Sequence, residues 1–335
     1  MLHSIINFFK DVFRKLFSVL RSLLVYVSVA FILLVVLSAV LGTIFPVAPE
    51  SSYVKEKIVR DEGGKDKIVI ANLSGLILSE GGQSVFSAQE SHITPSKIER
   101  VFLQAKNDPL VRAIIFDINS PGGSPVASDR IFELITNFRR DTDIPVLFLM
   151  GDIAASGGYY IAAASDHIVA NPATITGSIG VILETYNLEE LYEKLGLAKN
   201  TFKEGEYKDM LSEARVITEE ERQIIQTLNQ DTYNLFVSRV ASGRNLTEDQ
   251  VKSIANGQVY SGRQAKDLQL VDSLGNQDEA LYQAKLLAGV DRFQVVEYEF
   301  SSFFTDLFAE TRTSLSLPSI LQQLLVLPKT VYVQR

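Results

Sequence analysis

The chain has 335 residues, with 40 acidic against 32 basic side chains and a formal net charge of −8, a balance that argues against nucleic acid as a partner. It has no cysteine, which excludes disulfides, thiolate nucleophiles and cysteine-based metal sites. Its three histidines, His3, His92 and His167, are too dispersed for a metal-site signature, and no cofactor is expected.

In chain order, the basic residues Lys10, Arg14, Lys15 and Arg21 stand against the single acid Asp11 and precede 23 uncharged residues at 23–45. At about 1.5 Å per residue that run spans roughly 34 Å, enough to cross a bilayer. The basic flank predicts a cytoplasmic segment 1–22 and everything after residue 46 outside the cytoplasm. Pro46 and Pro49 crowd any cleavage site, so a retained single-pass anchor is expected, not a removed signal peptide. Residues 46–66, with both prolines, Gly63 and Gly64, read as a linker.

From there strands and helices alternate. A strand is predicted over 67–73, then a helix over 95–106 with Ile98, Val101, Phe102 and Ala105 on one face. A strand follows at 111–118, a helix at 126–138 and a strand at 144–150. A helix rich in small residues runs from 157 to about 165, ahead of strands at 167–170 and 181–186. Residues 188–195 read as helix and 200–203 as extended. Thr218-Glu-Glu-Glu221 opens a long helix to about 242 as a capping-box-like start. Helices over 247–255, 261–268 and 278–287 and a strand over 293–299 complete the domain 67–299. An α/β domain with a largely parallel sheet and crossover helices is the expected fold. The tail 300–335 places Ile320, Leu321, Leu324 and Leu325 at helical spacing.

Two glycine turns fall at the carboxyl ends of predicted strands, where open parallel sheets bind ligands. One is Asn119-Ser-Pro-Gly122-Gly123-Ser124; the other is Ala155-Ser156-Gly157-Gly158. Ser156 on a strand-to-helix corner projects its hydroxyl beyond the sheet, as in a nucleophile elbow, although the sequence is not a G-x-S-x-G match. The plainer reading is a helix N-cap. The glycine N–H groups of the first turn suit an oxyanion hole, or else serve an ordinary loop. Serine needs a base. A helix of about 13 Å would carry His167 away from the corner, His92 lies in a polar loop, and His3 lies across the membrane. A lysine is the remaining option. It must be neutral near pH 7, against an ordinary value near 10.4, at a cost of roughly 4 kcal/mol, which burial can supply. Composition does not select which lysine.

The strings Asp152-Ile-Ala-Ala-Ser156-Gly-Gly-Tyr-Tyr, Asn119-Ser-Pro-Gly-Gly and Thr176-Gly-Ser-Ile-Gly180 resemble the signal peptide peptidase A (protease IV) family. So do Gly205-Glu-Tyr-Lys208-Asp and Gly257-Gln-Val-Tyr-Ser-Gly-Arg-Gln-Ala265, and the resemblance covers about 67–290 together with the anchor. It implies a Clp protease/crotonase-like fold and a membrane-bound serine endopeptidase. Ser156 takes the place of the nucleophile, Lys208 that of the general base, Ser178 that of the lysine-orienting serine and Gly123 that of an oxyanion-hole donor. Gly157 is a second donor by geometry only. The short form of the family implies a ring-shaped homo-oligomer in which serine and lysine meet across neighbouring subunits. It also implies peptide substrates: remnant signal peptides and other hydrophobic membrane peptides. A crotonase-like acyl-CoA enzyme and a non-catalytic membrane scaffold are the competing classes.

Overall fold

A computed structural model describes residues 53–79 and 92–301, together with positions 17, 21–22, 26–29 and 33, which are helical. Among the described residues no helix is long and apolar enough to cross a membrane. Most of the span expected at 23–45, and the tail after 301, lie outside them. Residues Val54–Phe300 form one compact unit.

Nine strands build one sheet: β1 (Tyr53–Asp61), β2 (Asp66–Ser74), β3 (Val111–Ser120), β4 (Val146–Ala155), β5 (His167–Ala170), β6 (Ile175–Gly177), β7 (Val259–Ser261), β8 (Ser273–Leu274) and β9 (Phe293–Ser301). The order is β1-β9-β2-β3-β4-β5-β8. Pairing is parallel from β9 through β8, as the alternation predicts. β4 outruns β5, and β6 takes over beside its last three residues, with Ala155 opposite Gly177. β7 closes on β6 in the antiparallel sense.

Helix α1 (Pro95–Asn107) begins on Thr94, whose side chain accepts from Lys97 N, with proline in the first turn. Its Ile98, Val101, Phe102 and Ala105 are buried. Helix α2 (Pro125–Asp141) begins likewise on Ser124. These two, with α3 (Gly157–Ala162), cover one face of the sheet over Ile114, Phe116, Ile118, Phe148 and Met150. The alternate residues Ala113, Ile115, Leu147 and Leu149 face the other core, where Ala280, Leu281 and Ala284 of the C-terminal helix pack. Burial on both faces explains why the central strands read as unbroken apolar runs.

Between β6 and β7 come α4 (Glu189–Lys194), α5 (Glu219–Arg244) and α6 (Glu248–Ile254); α7 (Gly262–Asp267) and α8 (Gln277–Ala288) follow. Helix α5 buries Glu221 in its first turn and then nothing until Phe236, Val237, Val240 and Ala241. Helix α4 buries no residue at all. Residues 181–186, expected as a strand, form none. Ile182 and Tyr186 are each 82% exposed, so this apolar run has no sheet to join.

Tyr53–Asp61, within the expected linker, is instead the edge strand β1. Its charges hide it from a hydrophobic pattern but suit an edge: Lys57 pairs with Glu299 at 3.3 Å, and Glu56 with Lys67 at 2.7 Å. Strands β6, β7 and β8, at three, three and two residues, are too short to register as periodicity.

The end of α5 packs so closely on α3 that a β-carbon at Gly243 would lie 2.0 Å from the Ala163 carbonyl oxygen. Gly243→Ala should therefore destabilise the domain by about 1–3 kcal/mol, the usual cost of overpacking. Calorimetry would show this as a lowered Tm; an unchanged Tm would mean the two helices part without cost.

Candidate active site

Ser156 stands between the last residue of β4 and the first of α3, at φ 53° and ψ −122°, a conformation uncommon for a residue with a β-carbon. The surroundings hold it there. Its N–H donates to the Gly177 carbonyl at 2.9 Å, and its carbonyl accepts from Tyr160 N at 2.9 Å. Tyr159 is fully buried and donates to the Leu270 carbonyl at 3.0 Å, while Tyr160 donates to Asp129 at 2.7 Å. Asp129 in turn accepts from Arg239 of α5 at 2.8 Å. Burial and the Asp129 carboxylate push the Tyr160 phenol well above its ordinary value, so it stays a donor. The side chain of Ser156 makes no capping bond, and the residue is only half-buried. The N-cap reading therefore does not describe this serine.

The turn after β3 lies directly against that corner. Ser120 Oγ accepts from Gly122 N at 3.1 Å, and Ile77 brackets the turn, donating to the Gly122 carbonyl at 2.9 Å and accepting from Ser124 N at 2.7 Å. A β-carbon on Gly157 would lie 3.2 Å from Gly123 N and 2.6 Å from Ser128 Oγ. One on Gly123 would lie 2.1 Å from the Ile77 carbonyl oxygen. Glycine is what lets the two turns meet. Neither Gly123 N–H nor Gly157 N–H donates to any acceptor among the described residues. Two unengaged donors beside a hydroxyl can receive a developing oxyanion.

Ser178 follows Gly177 as Ser156 follows Ala155. The register of β4 and β6 ends with Ala155 opposite Gly177, so the two serines each follow one of a pair of residues on strands about 4.8 Å apart. Ser178 also has positive φ, at 50°, with its N–H donating to the Gln258 carbonyl at 2.8 Å.

Lys208 is elsewhere. It lies in the exposed turn after Gly205, its N–H donating to the Gly205 carbonyl at 3.2 Å, and its ammonium joins no ion pair among the described residues. The structure brings Ser156, Ser178, Gly123 and Gly157 together and leaves Lys208 outside the group. His167 pairs with Ser273 at 2.9 Å, beside Leu147 at the opposite end of β4, well over 20 Å from Ser156 by strand rise. Burial lowers its pKa. His92 precedes α1, and its carbonyl accepts from Lys97. Among the described residues no group of histidine and acidic side chains could hold a metal ion.

Residues 138–291 match peptidase family S49. A protein named as a signal peptide peptidase SppA in Enterococcus faecium is 35% identical over 253 residues, covering 74% of this chain and 72% of that protein. The chain belongs to this family. Protease 4 of Salmonella typhi is 32% identical over 275 residues, covering 81% of the chain and 43% of the relative, and a protein named as a protease in Synechocystis sp. is 47% identical over 179 residues, covering 53% and 64%. The chain thus spans between about two-fifths and three-quarters of the length of these S49 relatives. Among solved structures, a mutant of the 1510-N membrane-bound stomatin-specific protease with a substrate peptide matches at a TM-score of 0.45 and 17% identity, over 75% of this chain and 99% of that one. ClpP1 from Listeria monocytogenes matches at 0.40 and 15%, over 63% and 94%. The S49 match includes Ser156, Ser178 and Lys208, while the Gly122–Gly123 turn precedes it.

The residues that sequence reading missed are the ones holding the pieces in place. Asp129 and Arg239 secure the serine corner. Asp209, Arg215 and Glu221 secure the lysine turn: Arg215 donates to Asp209 at 3.0 and 3.1 Å and to Glu221 at 2.8 Å. Glu221 also accepts from Thr218 N at 3.0 Å, completing a capping box. The Arg215 guanidinium, with that N–H, lowers the Glu221 carboxyl to about 2 from an ordinary 4.5. A depressed acid contributes stability in full above its unfolded pKa and loses it as pH falls through the folded one. The Tm of Glu221→Gln should therefore fall less than that of the unchanged protein on acidification from about pH 5 to pH 3. Parallel losses would show that the carboxylate contributes nothing.

Proposed function

We propose that this S49 serine peptidase is a membrane-anchored endopeptidase in which Ser156 is the nucleophile and Lys208, lent by a neighbouring copy, is the general base. Its substrates on this reading are cleaved signal peptides and other hydrophobic membrane peptides. The observation that carries the proposal is Ser156 itself, held at positive φ beside two unengaged N–H groups. In the reaction, Oγ attacks the peptide carbonyl as its proton passes to the neutral amine of Lys208. The N–H groups of Gly123 and Gly157 receive the oxyanion. Collapse of the tetrahedral intermediate expels the amine end of the substrate, which takes the proton back from Lys208. Water, deprotonated by the same amine, then hydrolyses the acyl-enzyme. Ser178, directly after β6, would accept a hydrogen bond from the incoming lysine.

The lending of Lys208 rests on helix α5. Arg239, near its end, is bonded through Asp129 to the serine corner, and Glu221, in its first turn, is bonded to the lysine turn. Eighteen residues at 1.5 Å separate those anchors by about 27 Å. The lysine segment also carries exposed apolar side chains, Phe202 at 97% and Tyr186 at 82%, which a second copy would cover. Such covering removes water from the ammonium, as a neutral amine requires. A ring of copies, each lending its lysine to the next, satisfies every protomer. The uncharged run 23–45 and the basic residues ahead of it support anchoring in the bacterial inner membrane, with the peptidase domain outside the cytoplasm.

Ser156→Ala and Lys208→Ala should each lower peptide hydrolysis by at least 10³-fold in folded protein, and mixing the two inactive chains should restore it. No recovery on mixing would place the pair within one chain, and full activity of Lys208→Ala would remove the lysine from the mechanism. The rate should also rise with pH as the base loses its proton, with an apparent pKa below 10.4. A flat profile from pH 6 to 9 would contradict a lysine base.

A further inference from the structure

The lysine turn looks loosely held by its exposure, yet the residue next to Lys208 is among the most tightly tied groups in the chain. Asp209 has a side chain only 14% exposed and accepts from two cations, Lys203 at 2.6 Å and Arg215 at 3.0 Å. Arg215 donates to the Asp209 backbone carbonyl as well, at 3.2 Å, so it holds main chain and side chain of one residue together. Lys203 also donates to the Glu206 carbonyl at 2.7 Å, spanning the turn from its other side. The far end of the guanidinium engages Glu221, whose side chain is 3% exposed and fixed to the first turn of α5. A planar guanidinium with a fork of donors is the group that can bridge two carboxylates in fixed geometry. The ammonium of Lys208 takes no part in any of this.

We propose that Arg215, through Asp209 and Glu221, is the positioning residue for Lys208: it fixes the lysine-bearing arm to the start of α5 so that the amine is presented outward at a set place. The inference rests on the reading of Lys208 as the base. Because α5 is also bonded to the serine corner through Asp129 and Arg239, one helix then ties both the serine a protomer keeps and the lysine it lends. Arg215 touches no reacting atom. Its effect is on where the amine sits, and a misplacement of about 1 Å can cost on the order of 10²-fold in rate.

The test uses the full-length protein and a chromogenic peptide. Arg215→Ala should lower kcat by about 10- to 100-fold with KM within about threefold, and move the pH–rate midpoint upward, because a loosened arm leaves the amine in water. Arg215→Lys, which keeps one charge, should recover part of the loss. Asp209→Asn, which keeps the shape, should lose less than Arg215→Ala. Mixed chains isolate the arm from the serine of its own protomer. Lys208→Ala supplies an intact serine and needs an arm. Ser156→Ala should restore its activity, whereas Ser156→Ala carrying Arg215→Ala should restore about 10- to 100-fold less. Equal recovery in the two mixtures would overturn the positioning role and leave the Ser/Lys pair standing. Where neither mixture recovers, the kcat and pH profile of Arg215→Ala decide: unchanged values refute the proposal, a reduced kcat with a raised midpoint supports it. Where Arg215→Ala does not fold, Arg215→Lys and Asp209→Asn are read in the same way. Full activity in Lys208→Ala alone would remove the base, and the inference with it.

Discussion

The structure depends on a backbone meeting at the carboxyl edge of the sheet. Strand β4 runs past β5 and ends between the Gly122–Gly123 turn on one side and β6 on the other. There is no room for side chains where the turns touch: a β-carbon on Gly122 would lie 2.7 Å from Gly157 N, and one on Gly158 would lie 2.8 Å from the Ser120 carbonyl oxygen. The chain must bend sharply into α3 within one residue, and that residue is Ser156. Its positive φ costs on the order of 1–3 kcal/mol locally. The hydrogen bonds of Tyr159 to the Leu270 carbonyl and of Tyr160, packed against Phe132 of α2 and Phe236 of α5, to Asp129 hold α3 in place against it. Openness of the neighbouring Gly157 N–H follows from the same bend, since backbone donors at the first turn of a helix have no acceptor behind them.

Helix α5 extends that constraint through the molecule. Its last turns are core: Phe236 packs against Tyr160 with ring centroids 4.7 Å apart and the planes tilted by 42°, and Gly243 abuts Ala163. Its first turns are surface, apart from Glu221. A 26-residue helix that is buried only near its ends relies on caps more than on a packed stripe in between. The capping box at Thr218 and Glu221, with Arg215 closing over it, supplies one; Asn245, in the left-handed conformation, supplies the other.

Much of this was legible in the sequence for identifiable reasons. Strands β2 to β5 carry apolar runs because both faces are covered, and α1 shows Ile98, Val101, Phe102 and Ala105 at helical spacing because that face is buried. Ser156 stood out because small residues and glycines on both sides of a lone hydroxyl make sense only at a tight strand-to-helix turn. Strand β1 did not stand out, because an edge strand in contact with solvent is built from charges that mimic a linker. The two clamps were invisible for a different reason. Asp129 with Arg239 and Asp209 with Glu221 are ordinary surface residues by type, and only the fold joins pairs separated by 110 and by 12 positions.

On the proposed reading, the apolar surface of the arm bears on how a lysine would serve as the base. Ile182, Tyr186, Leu195, Leu197 and Phe202 lie on the same excursion between β6 and α5 as Lys208, and each is more than half exposed. Side chains of this kind would ordinarily be buried against their own domain. Covered by another protein surface, the same side chains exclude water from the amine and favour its neutral form. Contact and basicity would then arise together, so that Lys208 becomes a base only where a serine is waiting for it. On that reading an unassembled chain would carry both groups and join neither, and an isolated copy would not cut peptides.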